Sequence, residues 1–524
     1  MVQIYSFIRL RLIIKSNIMR DLIKSGFTIN KKLWLPVLAI IICIPAILPL
    51  LNTQFFYFHD FTQVSRLSEM YRALQDGHFP VRWSENFGFG YGMPLFNFYG
   101  PFPFYLGSLF VATGISYIGA IKALFALTVF ISFAGMYLLV KHFWGILPGL
   151  AAATAFVYIP YRAVDMYVRG ALNELVAITL IPVSLYTLIK VIETKQNKWV
   201  VLASILIALI VTSHNLVTLM AFPFIVTLMI GLIFGLEKRK RVNSLKRLVL
   251  TGLFGLGLSA FYLFPALLEK GFTRVTALTE GYFDYAIHFL YAPQLWNSPW
   301  GCGGSIGGME DGISFELGKP HIIFVIIGFL LIMIFRKRKL DFNSKMLIVF
   351  SVFALFFSLF FTSTRSIFLW ELIPFLSYIQ FPWRFLSISI VFLSILVGMS
   401  MYKMDSQNQF LRGLLLMIFL FPMIWYRSLF SPDGYLEDNQ QLYYDDPERI
   451  RHEMSNTLPD YLPDVDYVNL PTFENRFIIT DTENADLPFR LLSNKTHNSR
   501  IELDYKDRFN VTANIFYFPG WKIF

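Results

Sequence analysis

The stretch FFYFHDFTQVSRLSEMYRALQDGHFPVRW, residues 55–83, sets a carboxylate, Asp60, beside an imidazole, His59, directly after a long apolar run. Further along, YRAVDMYVRGALNE holds Arg162, Asp165, Arg169, Asn173 and Glu174 between two apolar runs. Arg162 and Arg169 are seven residues apart, which on a helix puts them on one side. Two guanidiniums so placed suit a phosphate, gripped through forked hydrogen bonds; the competing reading is that they snorkel to lipid headgroups. His214 and Asn215 in TSHNL end another apolar run. A polar pair at the edge of hydrocarbon is costly to bury unpaired and so hints at function, unless a backbone carbonyl satisfies the His. Lys270 and Arg274, which open a long loop with Glu269, are substrate-binding candidates, and Arg384 in QFPWRFL is a further phosphate candidate.

The elements that position these groups follow from periodicity. Val64, Leu67, Tyr71 and Leu74 recur at helical spacing, with Arg66, Glu69, Arg72 and Asp76 mostly elsewhere. That pattern predicts an amphipathic helix lying in the membrane interface. Asp60 precedes it, so its local reading is a helix cap. The loop HFLYAPQLWNSPWGCGGSIGG is rich in aromatics and Gly; such faces suit sugar rings, and an interfacial aromatic belt has the same composition.

The 524 residues are 55% hydrophobic and 15% charged, too little charge for a soluble protein of this length. The net charge of +10 is uneven. Residues 431–524 hold 17 acidic and 9 basic residues, a net −8, which leaves +18 elsewhere. Basic clusters fall at 237–247, at 336–339 and in the first 32 residues. Their alternation with apolar runs follows the positive-inside rule and argues against nucleic-acid binding. Cys43 and Cys302 imply no disulfide framework, and Cys302 reads as a filler in GCGG.

Eleven spans satisfy the charge rule, near 33–51, 120–140, 145–160, 174–192, 199–214, 216–236, 248–267, 320–335, 348–362, 384–401 and 412–428. The predicted fold is a polytopic α-helical membrane protein. A cytoplasmic segment, 1–32, leads into a transmembrane domain, 33–428, whose first run reads as a retained signal anchor. Its outer loops are 52–119, 161–173, 268–319 and 363–383, with interfacial or re-entrant pieces at 101–116 and 366–380. From 429 to 524 the alternating stretches RFIIT, RIELDY and RFNVTANIFYF predict a small, mostly β extracytoplasmic domain. No nucleotide-binding or metalloprotease motif occurs, so an activated substrate for the outer face would arrive by membrane, as a lipid-linked compound.

This pattern resembles the GT-C superfamily of membrane glycosyltransferases. More closely, FHDFTQVSRLSEMYRALQDGHFPVRW, YVRGALNE, SHNL, FPALLE and QFPWRFL look like the bacterial membrane family labelled "6-pyruvoyl-tetrahydropterin synthase-related". Pterin chemistry of that name needs a His-ligated zinc, and the eight His here are scattered without ligand spacing. GT-C resemblance implies sugar transfer from a polyprenyl-phosphate donor on the outer face of the plasma membrane, to a glycan, lipid or protein acceptor. It implies that Asp60 is the catalytic carboxylate, as general base, as acceptor-orienting group or, in metal-dependent members, as ligand of a divalent ion. His59 would orient Asp60 or join such a metal site. Glu174 is a second carboxylate or an Arg partner. Arg162, Arg169 and Arg384 are expected at the leaving phosphate, on charge and position alone. Related proteins continue past FYFPGWKIF, so the outer domain is expected to lack its last piece. A flippase for lipid-linked glycans and a non-catalytic envelope-assembly protein are the rival readings.

Overall fold

The computed structural model describes residues 34–334, 340–404, 409–437, 444–455, 461–465, 470–471, 473 and 475–524, less the side chains of 276, 277, 334, 409 and 410. The expected cytoplasmic segment 1–32 and basic loop 336–339 lie outside the described residues. The chain divides into two compact units, Met1–Ile44 and Pro45–Phe524. Of the first unit, the described part is the opening of helix α1 (Trp34–Ile47). The second carries everything below.

After α1 come α2 (Gln63–Gln75), α3 (Phe102–Ala112), α4 (Tyr117–Trp144), α5 (Ile146–Val157), α6 (Leu172–Glu193) and α7 (Asn197–Ser213). Then follow α8 (Asn215–Phe234), α9 (Lys238–Leu268), α10 (Lys319–Ile334), α11 (Phe342–Phe361), α12 (Leu386–Met404) and α13 (Gln409–Phe419). Among the described residues, eight helical stretches are long and apolar enough to cross a membrane. Three shorter apolar helices, α5, α7 and α10, fall where the remaining spans are predicted. The protein is a multi-pass membrane protein. The 11-residue α3 is about 16 Å long, half a bilayer core. Region 366–380 breaks into two six-residue helices, Ile367–Leu372 and Pro374–Ile379.

Side chains start several helices. The Ser116 side chain accepts from Gly119 N to cap α4, His214 accepts from Val217 N to cap α8, and Asp341 accepts from Ser344 N to cap α11. Burial separates centre from periphery. The apolar window of Pro382–Met404 is 94% buried, whereas that of α9 is 28% buried and faces the lipid. One core cluster joins α5, α10, α12 and α13 through Ala151, Ala155, Phe324, Val397, Met401 and Phe419.

Among the described residues beyond Pro447–Arg449 are two two-stranded antiparallel sheets. β1 (Phe477–Asp481) pairs with β4 (Phe509–Ala513), and β2 (Arg490–Lys495) with β3 (Asn498–Glu502). RIELDY is strand only as far as Glu502. This region packs on the outer loops. Phe516 N donates to Tyr91 O, Arg476 pairs with Glu85, and Arg451 Nε donates to Asn86 Oδ1.

α2 departs from the expected interfacial helix. Its polar side is buried as well as its apolar one, because Arg66 and Glu69 find partners inside the protein. Glu69 accepts from Ser84 Oγ (2.7 Å), Asn86 N (2.9 Å) and Asn86 Nδ2 (2.6 Å).

Candidate active site

The segment leading to Asp60 is fixed by aromatic packing and by backbone. Phe55, Phe56 and Phe58 cluster with ring centroids 5.3 Å apart, Phe58 edge-on to each of the other two. His59 N donates to Val168 O and Asp60 N to Arg169 O, both at 2.9 Å. Gly170 has φ +62°, and a Cβ there would lie 2.0 Å from the Phe58 ring, so glycine permits this joint. The segment after α1 and the turn before α6 are thereby stapled together.

Asp60 does not cap α2. The cap residue is Thr62, which makes no side-chain cap bond. The Asp60 carboxylate instead accepts from side chains: Thr62 Oγ1 (3.1 Å), Gln63 Nε2 (2.8 Å), Arg66 Nη1 (2.8 and 2.9 Å) and Tyr99 OH (2.9 Å). Arg66 also lies over the Tyr99 ring at 3.9 Å and donates to its hydroxyl (2.8 Å). Burial opposes the charge on Arg66, but Asp60 and Tyr99 outweigh it and hold the guanidinium above its ordinary value. Arg66 is nearly inaccessible, while the Asp60 side chain keeps 30% of its surface. His59 Nε2 lies 2.9 Å from Cys302 O, so the GCGG loop closes against the site through its backbone.

A second cluster sits at the N-terminal ends of α6 and α12. Arg169 donates to Asp165 and to Glu174 Oε2 (2.8 Å), and its guanidinium lies 4.7 Å from the Trp383 ring. Glu174 Oε1 accepts from Tyr161 OH (2.8 Å) and Ser387 Oγ (2.9 Å). Arg384 Nη1 donates to Ile379 O and Gln380 Oε1, and its Nε stands 3.7 Å from Glu174 Oε2. Asn173 Nδ2 donates to Gly100 O (2.7 Å) and Ser213 O (2.9 Å). That approach needs glycine at 100, where a Cβ would fall 2.0 Å from Ser213 O.

A cavity of about 920 Å³ joins the two clusters. Asp60, His59, Arg66, Arg169, Glu174, His214, Lys270 and Arg384 all line it. Counted with neutral His, these are four cations against two carboxylates, a lining suited to an anion. Among the described residues, Lys270 Nζ meets Tyr378 alone, 3.5 Å from its hydroxyl and 5.1 Å from its ring, and is the least engaged of the four. Because His214 Nδ1 accepts from Val217 N, the ring's proton sits on Nε2. The opposite wall is apolar, with Leu219 and Phe222 of α8 and Leu256, Leu263 and Leu267 of α9.

Seven of the nine sequence-predicted site residues therefore share one cavity. Arg162 and Arg274 do not. Arg162 is buried over the Phe156 ring (4.9 Å) and near Thr179 Oγ1 (3.5 Å). A π-helical turn, Val164–Val168, separates it from Arg169, so seven residues no longer make two α-turns. Arg274 instead meets the C-terminal region, its Nη1 3.5 Å from Val465 O and its backbone N donating to Leu462 O. Sequence reasoning missed Arg66 as the partner of Asp60, because helical periodicity set it on a solvent face. It also missed Gln63 and Tyr99; Tyr99 lies in a turn with no periodic signal.

Comparison with known proteins agrees with this architecture. The family model described as "6-pyruvoyl-tetrahydropterin synthase related domain; membrane protein" matches residues 96–432. An "Uncharacterized protein" of Lactococcus lactis subsp. cremoris (strain MG1363) is 25% identical over 251 residues, 46% of this chain and 41% of that protein. The oligosaccharyltransferase of Archaeoglobus fulgidus in its apo form superposes with a TM-score of 0.51 at 14% identity, over 86% of this chain and 62% of that one. The arabinofuranosyltransferase AftD from Mycobacteria gives 0.50 at 14% identity, over 76% and 27%. This chain thus spans less than two thirds of each of these proteins, and the likeness to the solved structures is one of fold, the GT-C fold. The chain belongs to the family of membrane proteins built on the 6-pyruvoyl-tetrahydropterin synthase related domain.

Proposed function

We propose that this protein is a membrane glycosyltransferase that moves a sugar from a polyprenyl-phosphate donor to an acceptor on the extracytoplasmic face. The observation that carries the reading is the single cavity that joins a reachable carboxylate, an excess of cations and a wall of exposed leucine and phenylalanine on two membrane helices. A lipid-linked phosphosugar has the same sequence of parts: chain, anion and polar ring. The positive-inside pattern sets the N-terminus in the cytoplasm and the acidic C-terminal region outside.

In the proposed reaction the acceptor hydroxyl attacks the anomeric carbon. Its proton passes to the Asp60 carboxylate as the new C–O bond forms. The bond from that carbon to the donor phosphate breaks, and the phosphate keeps the electron pair. Lys270 Nζ and Arg384 Nη2 stabilise its charge, while the His214 Nε2 proton supplies a neutral donor. Arg169 acts through Glu174 and Trp383, because Asp165 and Glu174 already engage its guanidinium. The donor set fits a resident divalent ion poorly. Arg66 faces both oxygens of Asp60, His59 Nε2 is directed to Cys302 O, and no cluster of three His, Cys, Asp or Glu occurs among the described residues.

The test is transfer of labelled sugar from polyprenyl-phosphate donors by the protein in lipid nanodiscs, wild type against Asp60→Asn. Transfer by wild type and its loss in a folded variant is the expected result. Equal transfer by both would remove Asp60 from the chemistry. No transfer by either, across a broad donor and acceptor panel, would move the reading to lipid-linked glycan flipping.

A further inference from the structure

A second groove, of about 600 Å³, lies on another face of α9. Tyr71, Leu74, Phe79, Tyr105, Leu109 and Phe261 line it. Its polar atoms are turned to the protein: Tyr105 OH accepts from Val81 N (2.8 Å) and Ser108 Oγ donates to Phe104 O (2.8 Å). The surface left is apolar and of a size that takes a substantial ligand. Phe261 stands about 200° around α9 from Leu263, which lines the cavity, so the helix separates the two sites.

Two observations identify the occupant. First, the groove continues the lipid-facing surface: Phe254, Leu258 and Phe261 form one exposed stripe along α9, and Phe79 and Leu109 are exposed at the groove's rim. Second, its walls are the helices that hold Asp60. α2 carries Arg66 near one end, and Tyr71 and Leu74 in the groove about 8 and 12 Å further along the axis. Tyr99, which donates to Asp60, lies three residues before α3.

We propose that this groove holds the hydrocarbon chain of a lipid-borne acceptor, a glycolipid whose hydroxylated head reaches Asp60 from the side of α9 opposite the donor's chain. The proposal rests on the glycosyltransferase reading for the word acceptor, but not for occupancy. The separation of about 8–12 Å along α2 sets the head's length: at least one sugar lies between chain and reacting hydroxyl.

The experiment is photolabelling in nanodiscs, with a diazirine in the acyl chain of a glycosyl-diacylglycerol in one arm and of phosphatidylcholine in the other, each followed by peptide mapping. The glycolipid is expected to label residues 71–79 and 102–112 several-fold above the α9 stripe at Phe254 and Leu258, and phosphatidylcholine is not. Leu109→Trp, at the exposed rim, is expected to cut the groove labelling several-fold. Equal labelling by both lipids would make the groove a site for bulk lipid and overturn the proposal, as would glycolipid labelling no higher in the groove than on the stripe, or unchanged by Leu109→Trp. Labelling is read equally well on Asp60→Asn protein, so a failure of the transfer reading and a failure of the groove register separately.

Discussion

Asp60 and Glu174 line the same cavity and differ in how they are held. Glu174 is inaccessible, at the start of a membrane helix, with Arg169, Arg384, Tyr161 and Ser387 around its two oxygens. Asp60 has as many partners, but they come from the turn and helix that follow it and from Tyr99, and nearly a third of its surface stays open. A carboxylate locked between guanidiniums in the interior serves mainly to keep those cations buried. One with an open side can meet a substrate proton. On the proposed function, the contrast gives Glu174 a structural part and Asp60 the chemistry.

The largest expected effect is on catalysis at Asp60. Asp60→Asn should lower the transfer rate by about 10²–10⁴-fold, the range of general-base catalysis, with a much smaller change in thermal stability. Glu174→Ala should do the reverse. It strands two buried cations and should cost about 3–5 kcal/mol of stability, read as a lower melting temperature in detergent. If Glu174→Ala melts like wild type yet transfers nothing, the two roles are exchanged. Smaller effects sharpen the contrast. Tyr99→Phe removes one hydrogen bond to a charged group, worth about 1.5–3 kcal/mol, and should lower kcat/KM by about tenfold or more with folding intact. Lys270→Ala should raise KM for the donor by about tenfold while kcat changes less, because the phosphate is bound before and during transfer.

The smallest effect concerns the hairpin of β2 and β3. It docks on the end of α2: Thr496 N donates to Asp76 Oδ2 (2.7 Å), and the His78 and His497 rings lie 4.9 Å apart. Burial, then His497 and Arg82, push His78 down to about 4 from 6.5, with Asp76 opposing. With the hairpin detached, His78 therefore binds the proton more readily than with the hairpin docked. The contact is fully present above about pH 6.5 and weakens as pH falls toward 4. Hydrogen exchange at 490–502 should rise between pH 7.5 and 5 beyond the intrinsic rate change, and His78→Gln should abolish that excess.

Much of the scaffold was legible in the chain. Apolar runs long enough for a bilayer predict the spans because every backbone group in hydrocarbon must be bonded within its helix. The strand signals of RFIIT and RFNVTANIFYF also match the paired β1 and β4. The site was legible only in part. His59, Asp60, Arg169, Glu174, His214, Lys270 and Arg384 stand out because charge at a membrane edge is conspicuous, and they do share a cavity. The errors came from geometry that spacing does not carry. A π-turn rotates Arg162 away from Arg169, and a C-terminal segment nearly 200 residues distant draws Arg274 off.

What the sequence determined by itself is the set of apolar segments able to cross a membrane and the charged residues at their ends, since hydropathy and charge are properties of single residues and short windows. Which carboxylate is open and which is locked was decided by tertiary structure. Asp60 owes its setting to Tyr99 and to the backbone at Arg169, and Glu174 owes its setting to Ser387 and Arg384 more than 200 residues away. Burial and pairing depend on contacts between distant segments, and no local pattern encodes them.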